Sequence, residues 1–91
     1  MATSESFLEA QLQLRATLAR RVKERRQLSN LSQRDLAERA GVRQALVSQI
    51  ELSEANVTLD SLVRIAIALD VDLAGLFAAN SGDPRVGSGH S

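Results

Sequence analysis

Apolar residues recur along this chain with a helical period, and capping and turn residues break the pattern into successive blocks. From about Phe7 to about Leu28 no Gly or Pro interrupts. At 100° per residue Phe7, Leu14, Leu18 and Val22 fall within one arc, and Leu8, Leu12 and Ala19 widen it. Ser6 followed by Glu9 reads as a capping box at the start of this helix. Ser29 and Asn30 end it, Asn being able to take the left-handed conformation. A second helix is predicted from about Gln33 to Ala40, with Leu36, Ala37 and Ala40 apolar, Ser32 and Asp35 as capping box, and Gly41 where a positive φ stops the helix. A third runs from about Arg43 to Leu52, and Val42, Val47 and Ile50 bury one side of it. Thr58 caps a fourth, Leu59 to Leu69, with Leu59, Leu62, Ala66 and Leu69 toward the core and Val63, Ile65 and Ile67 adding apolar surface on other sides. Asp72 opens a short fifth helix carrying Leu73, Leu76 and Phe77. From Asn80 the chain reads NSGDPRVGSGHS, without apolar period, and is expected to be disordered.

The centre of this pattern is Leu31 to Glu51, LSQRDLAERAGVRQALVSQIE, a helix, a tight turn and a second short helix. On that second helix Gln44, Ala45, Ser48 and Gln49 lie away from the apolar side. They are small or carry amides, so the face is suited to a DNA major groove, where amides pair with base edges and small residues permit close approach. The bland reading of the same face is a solvated, amide-rich helix. Leu31-Ser32-Gln33, Leu36-Ala37, Ala40-Gly41-Val42 and Ser48-Gln49-Ile50-Glu51 resemble the helix-turn-helix of the lambda-repressor-like (Xre/Cro-type) DNA-binding family. The likeness continues without gaps through Asn56, Leu59, Leu62, Ile65-Ala66, Ala68-Leu69, Val71 and Leu73 to Leu76-Phe77, and covers roughly Leu18 to Phe77.

The resemblance implies an all-α, five-helix domain, here with an extended first helix. Residues 1–17 are then an N-terminal extension, 18–78 the DNA-binding domain and 79–91 a tail. It implies base contacts from Gln44, Ala45, Ser48 and Gln49, with Gln44 placed to bond adenine N6 and N7 and Ala45 to lie on a thymine methyl. It also implies that Gln33, at a helix N-terminus where backbone N–H groups favour an anion, donates to a DNA phosphate. Arg34 and Arg39 are either solvated or within reach of phosphates. Asn56 carries over as a loop or phosphate contact. Glu51 matches a structural Glu that pairs with a first-helix arginine, for which Arg21 and Arg26 are the candidates.

The chain departs from the family at several positions. Arg43 stands where Ser or Thr caps the third helix. Either a cap is lost, at about 1 kcal/mol, or Arg43 is recruited to bind phosphate or guanine, the reading preferred here. Arg25 replaces an apolar residue, so either its charge snorkels outward or Leu28 fills the gap. Leu52-Ser53 replaces a polar-Gly pair, Val57 replaces a Pro, and the loop around them carries no positive charge.

Phe7, Leu8, Leu12 and Leu14 belong to a segment that the minimal domain does not need. They pack back on their own core or they meet a partner. An apolar arc of this length requires cover, which favours a subunit contact. In many family members the fifth-helix end forms a two-fold contact, and Leu73 and Leu76 are the residues that would share it with the core.

Composition narrows the function. Net charge is zero, yet its distribution is uneven. Residues 1–14 carry Glu5 and Glu9, a net −2; residues 15–43 carry nine basic residues against Glu24, Asp35 and Glu38, a net +6; residues 44–91 carry Arg64 and Arg85 against six acids, a net −4. A localised basic footprint suits nucleic acid. Without Cys there is no disulfide framework and no zinc knuckle, and the lone His90 in the tail is no metal site. No nucleophile, paired carboxylates or Gly-rich phosphate loop points to an enzyme, and no cofactor is implied. No signal peptide or membrane-length apolar run is present. The expectation is a cytoplasmic, nucleoid-associated protein of prokaryotic or phage type, with double-stranded DNA as partner and no membrane partner. It would act as a homodimeric transcriptional regulator on a palindromic operator. The alternative is an antitoxin that binds a protein toxin through the Phe7–Leu14 surface or the C-terminal end and autoregulates its operon.

Overall fold

The computed structural model describes residues 4–78. They form four α-helices, α1 (Ser4–Leu28), α2 (Gln33–Ala40), α3 (Gln44–Glu51) and α4 (Leu59–Leu69), followed by a 3-10 helix at Leu73–Phe77. Among the described residues there is no strand, and no helix is long and apolar enough to cross a membrane. The tail 79–91 and His90 lie outside the described residues.

Local chemistry sets the helix ends as the sequence foretells. The Asp35 N–H donates to Ser32 Oγ at 2.9 Å and the Ser32 N–H to Asp35 Oδ2 at 3.0 Å, completing the capping box of α2. The Ser32 N–H, with the Ser32 hydroxyl after it, holds the Asp35 carboxyl below its ordinary pKa. Gly41 stops α2 at φ 71°, and a Cβ there would come within 3.4 Å of the Arg64 guanidinium. The Ser61 N–H donates to Thr58 Oγ1 at the start of α4. Asn30 is left-handed at φ 58°, as expected, and so are Ser53 at 63° and Asp70 at 59°, which were not anticipated. Asp70 ends α4 in the role glycine usually takes.

Several expectations fail. The first helix is already formed at Ser4, so Ser6 lies inside it rather than capping it. Leu59 is exposed, at the start of an outer stripe that Val63 and Ile67 continue, while Leu62 takes the core side of the same turn. The fifth element winds as a 3-10 helix of a single short stretch, not an α-helix.

Leu18 and Val22 of α1, Leu36 of α2, Val47 and Ile50 of α3, Ile65 and Leu69 of α4, and Leu76 meet in one aliphatic core. α1 packs on α3 and on the 3-10 helix, while α2 packs on α3 and α4. Ile65, expected to add outer apolar surface, is fully buried here. Leu28 does not fill the space beside Arg25, being largely exposed. Arg25 instead lies half-buried, with its Nε enclosed and unpaired. A second arginine of α1 is better used: the Arg21 Nε–H donates to the Gly75 carbonyl at 2.9 Å and its NH1 to Glu24 at 2.7 Å, tying α1 to the 3-10 helix.

Candidate nucleic-acid interface

Val47 and Ile50 turn α3 by sinking into the core, and this leaves Gln44, Ala45 and Gln49 exposed with Ser48 half-buried beside them. The residues expected to read bases therefore share one outer face. The orientation of α3 is fixed at its C-terminal end by Glu51. The Arg26 guanidinium grips both Glu51 oxygens, Nε to Oε2 at 2.7 Å and NH2 to Oε1 at 3.0 Å, and its NH1 donates to the Leu31 carbonyl at 2.7 Å. This carboxylate raises the Arg26 pKa above its ordinary value. Of the two arginines considered as partners for Glu51, Arg26 takes the role and Arg21 does not.

Gln33 joins the same network, its Nε2 donating to Glu51 Oε1 at 3.1 Å. One ion pair thus links α1, the turn before α2, the N-terminus of α2 and the end of α3. Arg34, one residue further, is exposed and forms a loose i,i+4 pair with Glu38 at 3.4 Å.

The N-terminus of α3 has no such support. Arg43 takes the N-cap backbone geometry, φ −76° and ψ 145°, but its side chain makes no capping bond. An Arg side chain has no acceptor to offer, so the first N–H groups of α3 stay open to an outside acceptor. They lie beside a groove of about 570 Å³ bounded by Gly41, Val42 and Arg43 of the turn, by Ala45, Leu46 and Gln49 of α3, and by Asp60, Ser61 and Arg64 of α4. Arg64 is exposed and bonds Asp60 at 3.0 Å. Nothing in the linear pattern singled out Ser61 or Arg64; only the packing of α4 brings them beside the reading face. In the sequence, the one signal was that Arg64 is a rare base in an acidic half.

Asn56 is placed elsewhere. Its Oδ1 accepts from the Arg15 guanidinium of α1. It lines a second groove, about 240 Å³, with Gln11, Leu14, Arg15, Leu18, Ala55, Val57, Leu62 and Phe77. The two grooves have no lining residue in common.

The candidate contact residues divide. Phe7, Leu8, Leu12 and Leu14 are 64%, 52%, 61% and 52% exposed, and Leu73 is half-buried. Leu76 is fully enclosed by its own chain, so the expectation that it meets a partner is corrected: it has no surface to give. Leu59, Val63 and Ile67 recur every fourth residue of α4 as a further exposed apolar stripe.

Comparison with known proteins decides the family. The helix-turn-helix family HTH_3 matches residues 22–76. The chain belongs to this helix-turn-helix family. Control protein C.SmaI of Serratia marcescens is 35% identical over 65 residues, spanning 71% of this chain and 77% of that protein. Among solved structures, the restriction-modification controller protein C.AhdI from Aeromonas hydrophila superposes with a TM-score of 0.67 at 32% identity, over 69% of this chain and 96% of its own. A hypothetical transcription factor, NHTF from Neisseria, gives a TM-score of 0.75 at 29% identity, over 80% of this chain and 84% of its own. The matched region takes in α2, α3 and α4, and it leaves most of the α1 overhang, before residue 22, outside.

Proposed function

We propose that this helix-turn-helix protein is a sequence-specific double-stranded DNA-binding transcriptional regulator that acts as a homodimer on a palindromic operator. The observation that carries the reading is the outer face of α3, exposed and built from amides and small residues, with groups able to bind phosphate on both flanks. In this mechanism α3 enters the major groove. Gln44 bonds adenine N6 and N7, Ala45 lies on a thymine methyl, and Ser48 and Gln49 contact the bases one turn further along. Gln33 and Arg34 hold one phosphate strand. Arg43, Ser61, Arg64 and the uncapped N–H groups of α3 hold the other. Asn56 is left out of this set, since it is tied to Arg15 on a different groove. One α3 per copy reads one half-site, and two copies read half-sites about one helical turn apart. The likeness to two controller proteins and to a transcription factor supports a regulator over other uses of the fold.

The test is selection of bound fragments from a genomic library that contains the protein's own upstream region, at near-physiological salt. A recovered palindrome supports the reading and gives the spacing; no enrichment from a folded protein overturns it. On the recovered operator, Gln44→Ala should cost about 1–3 kcal/mol of specific binding and leave non-specific binding nearly unchanged. Equal losses on both DNAs would remove Gln44 from the reading role.

A further inference from the structure

We infer that Leu52 is a further specificity residue of the α3 face, seated on the 5-methyl group of a pyrimidine in the operator, which in unmodified DNA is the thymine methyl. The inference rests on the DNA-reading role proposed above and names one chemical feature of the DNA that this role selects.

An exposed leucine is ordinary by itself; its place on the helix carries the argument. Leu52 directly follows the last residue of α3, yet its N–H donates to the Ser48 carbonyl at 3.0 Å, so it continues the helical winding. With Gln44 taken as zero and about 100° per residue, Ser48 falls at about 40°, Ala45 at about 100° and Gln49 at about 140°. Leu52 falls at about 80°, in the middle of that arc. Val47 and Ile50, both buried in the core, fall at about 300° and about 240°, so Leu52 is turned almost directly away from the core. It is 62% exposed there. The outer face of α3 thus carries amides and small groups, and then one bulky apolar group at its C-terminal end.

That group is held in place by backbone bonds. The Ser53 N–H donates to the Ile50 carbonyl at 3.0 Å and the Glu54 N–H to the Gln49 carbonyl at 2.8 Å, with Ser53 left-handed at φ 63°. These two bonds are a Schellman closure, which fixes the chain on both sides of Leu52. Ser53 and Glu54 bring no positive charge, so this end of α3 offers no cation to a phosphate. Leucine has no donor or acceptor of its own. Among the features that base edges show in the major groove, the thymine methyl is the apolar one, and 5-methylcytosine carries the same group at the same ring position. Leu52 lies about 10 Å beyond Ala45 along the helix. Its methyl therefore belongs to a different base from the thymine proposed for Ala45, about three base-pair steps away or fewer.

The test uses the full chain and the operator recovered by the selection above. Each thymine is replaced in turn by uracil, which removes only the methyl group. Binding of the unsubstituted protein and of Leu52→Ala, its fold checked by circular dichroism, is followed by fluorescence anisotropy. One position in each half-site should show about a fourfold loss with uracil, the worth of one methyl group taken out of water. Leu52→Ala should show no loss there, while thymines contacted elsewhere on the face keep their penalties. With a cytosine–guanine pair at that position, 5-methylation of the cytosine should restore about fourfold to the unsubstituted protein and nothing to Leu52→Ala. The tighter of the thymine and 5-methylcytosine operators then tells which base supplies the methyl group. The inference is overturned if no uracil penalty depends on Leu52, or if every penalty vanishes together in Leu52→Ala. A selection that enriches no sequence overturns the regulator reading and takes this inference with it. An operator that Gln44 discriminates, but whose methyl groups are indifferent to Leu52, strikes this inference alone.

Discussion

Removing Glu51 tests the claim that one largely enclosed ion pair holds α3 in place. Its side chain is 5% exposed and that of Arg26 12%. Glu51→Ala deletes both bonds to Arg26, at 2.7 and 3.0 Å, and the acceptor of Gln33 at 3.1 Å. Deleting one partner of a buried pair costs about 3–5 kcal/mol, because the other charge is left desolvated. Arg26 keeps its bond to the Leu31 carbonyl, which argues for the lower end, about 3 kcal/mol. Small domains hold only about 5–15 kcal/mol in total, so the variant remains folded but visibly weakened. At a urea slope of about 1–1.5 kcal/mol/M, the midpoint should fall by roughly 2–3 M with the slope unchanged. Equilibrium urea unfolding followed by circular dichroism measures this. The double variant Arg26→Met with Glu51→Leu should recover most of the loss, since it removes both desolvated charges together. A loss below about 1 kcal/mol in the single variant, well under the range for a buried pair, would refute the reasoning.

The other predictions concern the ends of α3 and the groove beside it. Arg43→Ser supplies the missing cap, so it should raise stability by about 1 kcal/mol in urea unfolding while weakening operator binding. A gain in both would show that Arg43 has no part in the complex. Arg64→Ala should weaken binding nearly uniformly across DNA sequences and reduce the salt slope of log K by about 1, measured by fluorescence anisotropy from low to moderate salt; an unchanged slope would place Arg64 off the phosphates. Ser53 holds φ 63° without being glycine, so Ser53→Gly should raise the melting free energy by about 1 kcal/mol, and destabilisation would contradict that.

What the sequence made legible was what local chemistry decides. The limits of α2 and the start of α4 could be read because Ser32 with Asp35, Gly41 and Thr58 act on backbone groups within a turn of themselves. The exposed face of α3 could be read because Val47 and Ile50 fix its rotation. The unread features depend on what lies across the fold. A wheel gives Leu59 an angle close to the core side but cannot say that the core stops short of it, at Leu62. Asn56 reads as a phosphate contact in the sequence, but the length of α1 brings Arg15 across the loop to its Oδ1. Arg64 gained a place beside the reading face only through the packing of α4 on α2. Ser53 and Asp70 adopt a conformation that their own side chains do not demand.

These features separate holding the fold from the proposed reading of DNA. The side of α3 that enters the core is aliphatic and complete, and its C-terminal carboxylate is satisfied by Arg26 and Gln33. Its outer side chains, Gln44, Ala45 and Gln49, add little to packing. On the proposed function, substitutions on that face would change which bases are read with small effects on stability, because solvated positions away from caps and networks are usually worth within about 0.5 kcal/mol. Gln33 is where the two tasks meet. It lends one amide N–H to Glu51 in the free protein, and the second N–H of the same amide is the donor left for the proposed phosphate contact. In the proposed complex Gln33 would bridge the Glu51 carboxylate and the DNA backbone without giving up its bond in the fold, and discrimination would fall to the side chains of α3 that the fold leaves idle.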